Sequence, residues 1–268
     1  MIISRKSEIL AVLLLLALFG GQALSQSPEK QNQTTPSSSS QQTTSGKDLT
    51  PDEIIKAFSA KETEFYEAWI QYAYRQTLEC HIISVNNVPS YERLTIVSDI
   101  IFHDDGTREV RMVDRRGALR SVRFTKEDEE VINNIQPFAL TTKDLPLYNL
   151  KYGGRERIDE LDCYVFTVKP KEIKKDRFYF EGSIWVDDQD LQIVMTRGKP
   201  VPQKNDNLFP DFETRREIID GKYWFPTWTH ADSLLNFSDQ KVKVEETITY
   251  ENFKRFGAKA RIEYENPK

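Results

Sequence analysis

Histidine, cysteine and clustered aspartate are the residues of this sequence that could carry catalysis or bind a metal ion. The chain has three histidines, His81, His103 and His230, which fall on three different predicted strands without the short spacing of a metal motif. No nucleophile elbow, zinc-protease, Walker or dinucleotide-binding motif occurs. We therefore expect no metal centre, no cofactor and no enzymatic activity, with each histidine an ordinary core or surface residue.

Two aspartate-rich segments, residues 104–106 (DDG) and 187–190 (DDQD), suggest calcium loops or turns. Neither has the alternating oxygen ligands and the distal glutamate of an EF-hand. Both lie where an antiparallel hairpin must reverse direction, so we interpret them as turns.

The two cysteines, Cys80 and Cys163, leave two interpretations open. In an exported protein they can form a disulfide, provided that the fold brings their Cα atoms within about 7 Å. Alternatively, both are free thiols buried as small apolar side chains.

Basic residues form two local clusters. Arg115 and Arg116 belong to six arginines between residues 108 and 123, and Lys171 and Lys174 to four lysines between residues 169 and 175. They are either solvated hairpin and loop surface or a contact for anionic lipid headgroups or an acidic protein partner. The formal net charge of −5 argues against nucleic-acid binding.

Residues 1–25 have the pattern of a secretory signal peptide. Arg5 and Lys6 precede an apolar run over residues 9–19, and Ala23-Leu24-Ser25 predicts cleavage before Gln26. The run is shorter than the about 20 residues of a comfortable membrane span, although an uncleaved anchor is the alternative. No cysteine lies near the cleavage site, so we expect an exported, periplasmic protein without a lipid-modified cysteine.

Residues 26–47 are almost entirely polar, which predicts a disordered tether. This segment either extends the folded domain away from a surface or is a disordered terminus without a specific role. The folded unit is expected over residues 48–268 as a single domain, because no later change in composition indicates a boundary.

Two helices are predicted in this domain. Thr50 and Glu53 form a capping-box pattern with Pro51 at the first helical position, and Thr125 with Asp128 begins a second, shorter helix.

Most of the rest alternates between apolar and polar residues, as strands do. We predict about ten or eleven strands joined by short turns. One of these strands is expected at residues 118–124, after a turn at Arg116-Gly117. Without crossover helices the strands must pair antiparallel. The predicted fold is mainly β with α: a large curved antiparallel sheet, or unclosed barrel, covered by about two helices.

Apolar residues in one phase of these strands predict an apolar face beneath the helices. That face is either a filled core or the wall of a cavity for an acyl chain. The candidate lining residues are Phe102, Met112, Phe166, Ile184, Phe225 and Ile248.

Four segments carry a family resemblance. They are residues 152–159 (YGGRERID), 163–170 (CYVFTVKP), 182–187 (GSIWVD, followed by QIV at 192–194) and 220–227 (DGKYWFPT). Over residues 52–256 the chain resembles the outer-membrane lipoprotein carrier and localisation-factor superfamily, the LolA/LolB/RseB-like proteins. These motifs consist of turn and strand residues rather than ligand-binding groups.

The resemblance implies an unclosed barrel with helices as a lid, holding the acyl chains of a lipoprotein during transfer between membranes. We therefore expect a non-enzymatic carrier of lipid or acylated protein that makes transient membrane contact. A relative with another apolar ligand is an equal alternative. The competing hypothesis is an envelope protein-interaction or sensing module on the same fold.

Overall fold

The structure is a computed structural model that describes residues 49–103, 105–204 and 207–255. The expected signal peptide and the whole of the expected tether lie outside the described residues. In the described part, no helix is both long and apolar enough to cross a membrane.

Both predicted helices are present and begin at the predicted residues. Helix α1 spans Pro51–Trp69 and helix α2 spans Lys126–Asn134. Thr50 and Thr125 each accept a hydrogen bond from the third helical residue, whose own carboxylate accepts one from the cap. These reciprocal bonds satisfy backbone donors that a helix start otherwise leaves free, so local sequence sets both starts. A short 3-10 helix spans Leu145–Leu147.

The remainder is one sheet of ten antiparallel strands, as expected for a mainly β fold. Their bounds are β1 Tyr72–Val85, β2 Val88–Phe102, β3 Arg108–Ala118, β4 Tyr148–Ile158, β5 Leu161–Pro170, β6 Tyr179–Asp187, β7 Ile193–Val201, β8 Phe212–Ile219, β9 Tyr223–Asn236 and β10 Lys241–Arg255.

The strand order is β3-β2-β1-β10-β9-β8-β7-β6-β5-β4. Two runs of hairpins are therefore joined where β1 pairs with β10, with Leu78 opposite Ile248. Strands β3 and β4 are the two free edges of this unclosed sheet, and residues 119–147 connect one edge to the other. This connection carries α2 and lies on the same side as the core.

Helix α1 packs on the apolar face of the sheet. Phe58, near its start, contacts Phe166 on β5 with ring centroids 5.7 Å apart. Trp69, at its end, contacts Phe225 on β9 at 5.1 Å. The two ends of the helix belong to two separate clusters of buried residues, so α1 fills much of the space over this face.

One predicted strand is wrong. Residues 119–125 are loop, and β3 instead continues through Gly117, which pairs with Leu94 on β2. Gly117 has a φ of +73°, and a Cβ there would lie 2.1 Å from the carbonyl oxygen of Arg93. The glycine therefore extends β3 rather than making the expected turn.

Candidate functional site

A cavity of about 590 Å³ lies at one end of the helix-covered face. Its walls come from loop 119–125, the start of α2, the inner faces of β1 and β10, residues 207–210 and the turn between β9 and β10. The apolar part of the lining consists of Leu119, Val122, Phe124, Leu208, Leu235, Phe237 and Val244.

Most of these apolar side chains are only partly buried, although they adjoin the core. Leu119, Val122, Phe124, Leu235 and Phe237 all pack against the second cluster while keeping part of their surface open. The cavity is therefore an extension of the apolar core that the protein's own side chains leave unfilled.

Glu246 on β10 lies in the wall of this cavity, in the inward phase of a strand whose neighbouring inward residues are Val244 and Ile248. Its partners across the sheet are small: Cys80 on β1 and Ala231 on β9. Gln136 donates a hydrogen bond from Nε2 to Glu246 Oε1 at 2.6 Å. Small neighbours on both sides leave the space above this carboxyl open.

Burial alters the acid–base properties of this region. Desolvation raises the pKa of Glu246 to about 7, against the hydrogen bond from Gln136, and the charge of Asp128 adds to the rise. Desolvation likewise raises the pKa of Asp128 and brings that of the Cys80 thiol to about 12. A thiol that is so little ionised at neutral pH is a weak nucleophile, and Cys80 contributes a small, poorly reactive side chain to the cavity wall.

Side-chain hydrogen bonds hold loop 119–125 over the cavity. The Glu92 carboxylate on β2 accepts from the backbone N–H of Arg120 at 2.6 Å and of Ser121 at 2.9 Å, and from Ser121 Oγ at 2.5 Å. Burial opposes ionisation of Glu92, but these hydrogen bonds outweigh it and lower its pKa. Gln240 donates to the carbonyl of Ser121 at 2.7 Å and attaches the loop to the β9–β10 turn.

Glu127 at the start of α2 connects the rim to residues 204–207. Its carboxylate accepts from Lys204 Nζ at 2.8 Å and from Asn207 Nδ2 at 2.5 Å. The Lys204 and Asn207 contacts lower the pKa of Glu127, so it is a satisfied, ionised group. Loop, turn and helix are thus joined around the cavity by side chains rather than by strand pairing.

None of the six residues predicted to line a cavity lies in the wall of this one. Five of them are buried in the two packed clusters and are absent from the cavity wall: Phe102, Phe166, Ile184, Phe225 and Ile248. Met112 is on edge strand β3 and its residue surface is 53% exposed. The alternation of apolar and polar residues placed these five side chains on the inner face of the sheet, but helix α1 and the segment after α2 cover that part of the face.

The basic residues are exposed on separate elements. Arg115 and Arg116 lie on edge strand β3, and Lys171 and Lys174 follow β5, which is next to the other edge. In strand order the two clusters are at opposite ends of the sheet, so the structure does not bring them into one continuous strand surface.

The cysteines are both free and buried, which corrects the disulfide alternative. Cys80 packs with Leu78 and Val244 beside the cavity, whereas Cys163 packs with Trp185 and Met195 in a third cluster. The second interpretation, two small buried apolar residues, describes them.

The described residues contain no group of three or more histidine, cysteine or acidic side chains able to hold a metal ion. The histidines are separate from one another in their contacts: His81 lies 3.9 Å from Glu245, His103 lies 3.3 Å from Glu109, and His230 contacts Thr247. The Asp187 carboxylate accepts from the backbone N–H of Gln189 and Asp190, as a turn residue does.

No protein-family model matches the chain, and no curated protein matches it. Solved structures do. A DUF1329 family protein from Desulfovibrio piger is 14% identical, with 79% of this chain and 97% of that chain covered, at a TM-score of 0.43. A putative outer membrane lipoprotein-sorting protein domain from Vibrio parahaemolyticus is 12% identical, with 78% of this chain and 95% of that chain covered, at a TM-score of 0.37.

A LolA superfamily protein from Nitrosomonas europaea is 12% identical, with 78% of this chain and 96% of that chain covered, at a TM-score of 0.35. This chain is similar to LolA-superfamily structures.

Proposed function

We propose that this protein is an exported, non-enzymatic binding module that holds the apolar part of a lipid or acylated lipoprotein in the cavity beside Glu246. The observation that carries the proposal is the cavity itself. Its volume of about 590 Å³ falls within the range of about 300–1,000 Å³ typical of ligand pockets, and its walls combine apolar side chains with a few polar groups.

The apolar side chains of this open cavity keep part of their surface exposed to solvent. Removing apolar surface from water is favourable by roughly 25 cal/mol per Å². Phe124, Leu235 and Phe237 would gain this contribution by contact with a flexible hydrocarbon chain. A bound acyl chain therefore stabilises the wall that binds it.

The rim supports reversible entry. Loop 119–125 is held by Glu92 and Gln240 through side-chain contacts, and the sheet hydrogen bonds of β1, β2 and β10 do not depend on it. Breaking these few contacts opens the cavity and leaves the sheet intact, which suits a protein that must release its ligand.

The export part of the proposal rests on residues 1–25, with their basic start, apolar run and small residues before Gln26. Fractionation of the producing cells should place the protein in the periplasm, and its intact mass should correspond to a chain beginning at Gln26. A membrane-bound, unprocessed chain would contradict this part of the proposal.

A matched pair of leucines tests binding. Leu235 lines the cavity, whereas its neighbour Leu234 is 49% exposed on the other phase of β9. We expect delipidated wild-type protein and Leu234→Trp to bind the neutral dye N-phenyl-1-naphthylamine, and we expect dodecanol to displace the dye from both. Leu235→Trp fills the cavity and should raise the dissociation constants of the dye and of dodecanol at least about tenfold. Equal binding by the two variants, or none by the wild type, would overturn the proposal.

A protein-interaction role is the second candidate, favoured by the surface of β3. Val110, Met112 and Val113 are each about half exposed beside Arg115 and Arg116. Cross-linking in whole cells tests it. One dominant protein partner, lost when both arginines are changed to Glu while dye binding is retained, would support this candidate.

A further inference from the structure

We infer that the ligand of this cavity bears a cationic nitrogen, such as a primary amine, at the end of its apolar chain, and that Glu246 binds that group. This inference rests on the proposed function and specifies its ligand class. It follows from the hydrogen bonding and the charges of the cavity wall.

Glu246 has hydrogen-bonding capacity left over. Its Oε1 accepts from Gln136, but the described residues provide no hydrogen-bond donor for Oε2. Since a carboxyl has about four lone-pair positions, most of them remain available on a side chain that lines the cavity. A donor supplied by the ligand would satisfy them.

The other acidic side chains of the inner wall already have partners. Glu127 is bound by Lys204 and Asn207. Asp128 Oδ2 accepts from the backbone N–H of Thr125 at 2.6 Å and from its hydroxyl at 2.7 Å, as part of the α2 cap. Glu246 Oε2 and Asp128 Oδ1 are therefore the carboxylate oxygens of the inner wall that have no donor among the described residues, and Glu246 is the one of the two that is not part of a helix cap.

The charge of the wall selects the sign of the ligand head. Among the described residues, the lining holds four acidic side chains, Glu127, Asp128, Asp239 and Glu246, and one basic side chain, Arg123, which is exposed. Lys204 outside the lining compensates the charge of Glu127, which leaves an excess of acidic groups in the wall. A carboxylate or phosphate head beside Glu246 would meet an uncompensated like charge in a poorly solvated site. An ammonium head meets the opposite charge and donates to the free oxygen.

Three probes with the same alkyl chain separate these possibilities at pH 8: dodecylamine and dodecanoate, each below its micelle concentration, and dodecanol below its solubility limit. We measure their dissociation constants by displacement of N-phenyl-1-naphthylamine. The wild type should bind the amine at least about tenfold more tightly than the alcohol, the gain expected for a charged hydrogen bond, and should bind the carboxylate most weakly.

Glu246→Gln keeps the size of the side chain and removes its charge, so the preference for amine over alcohol should fall to within about threefold. Glu245→Gln is the matched control. Glu245 is the adjacent residue on the other phase of β10, near His81, and its removal should leave the preference unchanged. Thermal unfolding of both variants confirms that each is folded.

The outcomes distinguish this inference from the proposed function. Binding of dodecanol without an amine preference overturns the inference and leaves the proposed function standing. A preference that persists in Glu246→Gln overturns the assignment to Glu246. Failure of all three probes to bind overturns the proposed function and this inference together.

Discussion

Arg216 on β8 and Glu62 on α1 form a fully buried ion pair in which the two terminal nitrogens of the guanidinium donate to the two carboxylate oxygens, at 3.0 and 3.1 Å. Glu62 also accepts from the backbone N–H of Ile193, and Arg216 donates to the carbonyl of Phe138 and lies over the Phe65 ring. One pair thus joins helix α1, two strands and the segment that follows α2.

Breaking this pair should strongly destabilise the protein. Glu62→Gln leaves the Arg216 charge buried without its counter-charge, and we expect the free energy of unfolding in urea to fall by about 3–5 kcal/mol. Glu64→Gln, which removes the exposed partner of Lys61, is the control and should change it by less than about 1 kcal/mol. Similar effects from the two variants would contradict the role of the buried pair.

Stability should depend on pH through Glu246. Its pKa is raised from 4.5 to about 7 in the folded state, so the folded protein favours the protonated form. The associated stability is present below about pH 4.5 and is lost as pH rises through 7. Glu246→Gln, which stays neutral, should match the wild type at pH 4.5 and exceed it by up to about 3 kcal/mol at pH 8.

Urea unfolding at the two pH values checks this, with Glu245→Gln as the control that follows the wild type. The groups facing Glu246 are Cys80 on β1, Asp128 on α2 and Gln136, all of which remain in the variant. A constant difference between Glu246→Gln and the wild type across this pH range would refute the expected linkage.

Glu92 should control how fast the cavity opens. Glu92→Ala removes the acceptor for the backbone N–H groups of Arg120 and Ser121, so their amide hydrogens should exchange at least about tenfold faster. Release of N-phenyl-1-naphthylamine in stopped flow should accelerate as well. Glu79→Ala, an exposed residue of β1, is the control and should leave both rates unchanged. Unaltered exchange in Glu92→Ala would show that other contacts hold the loop.

The two thiols should react slowly, and a ligand should protect just one of them. Burial raises the pKa of both Cys80 and Cys163 to about 12, so roughly one thiol in 10,000 is ionised at pH 8. Iodoacetamide should label either residue at least about a hundredfold faster in urea than in the native protein. Dodecanol should slow labelling of Cys80, which lines the cavity, and leave Cys163 unaffected. Peptide mass spectrometry separates the two.

Gly117 should tolerate no side chain. Both Gly117 and Gly106 have positive φ, but a Cβ at Gly106 would meet nothing within 4 Å, whereas at Gly117 it would collide with Arg93. Gly106→Ala should cost about 1–2 kcal/mol for its backbone conformation alone. Gly117→Ala should cost about 3 kcal/mol or more, measured by urea unfolding, because the β2–β3 pairing must also shift. Equal losses in the free energy of unfolding for the two variants would indicate that β2 can shift to accommodate the new Cβ.

The helix starts and most strands were predictable because short segments determine them. Thr50 with Glu53 and Thr125 with Asp128 form their caps within four residues, and the alternation of apolar and polar residues marks the strands. The fold class follows from these local patterns and from the lack of crossover helices between strands.

The cavity was not predictable in the same way. Leu119, Val122 and Phe124 give loop 119–125 the apolar content of a strand, and its actual position depends on contacts with Glu92 and Gln240 elsewhere in the chain. Glu246 could have been noticed in the sequence, since it is an acidic residue at an alternate position of β10 where its neighbours Val244 and Ile248 are apolar. The small partners that leave space above it come from β1 and β9 and are set by pairing over long distances.

The free edges of the sheet have a consequence for solubility. Strands β3 and β4 present unpaired backbone groups, which are templates for adding a strand from another molecule. Both carry charged side chains along their length, and both pairings contain an irregularity, at Val97/Ser98 and at Tyr152/Gly154. Charge and local twist oppose polymerisation through these edges, so the chain can keep a ten-stranded open sheet dispersed in a crowded compartment without closing it into a barrel.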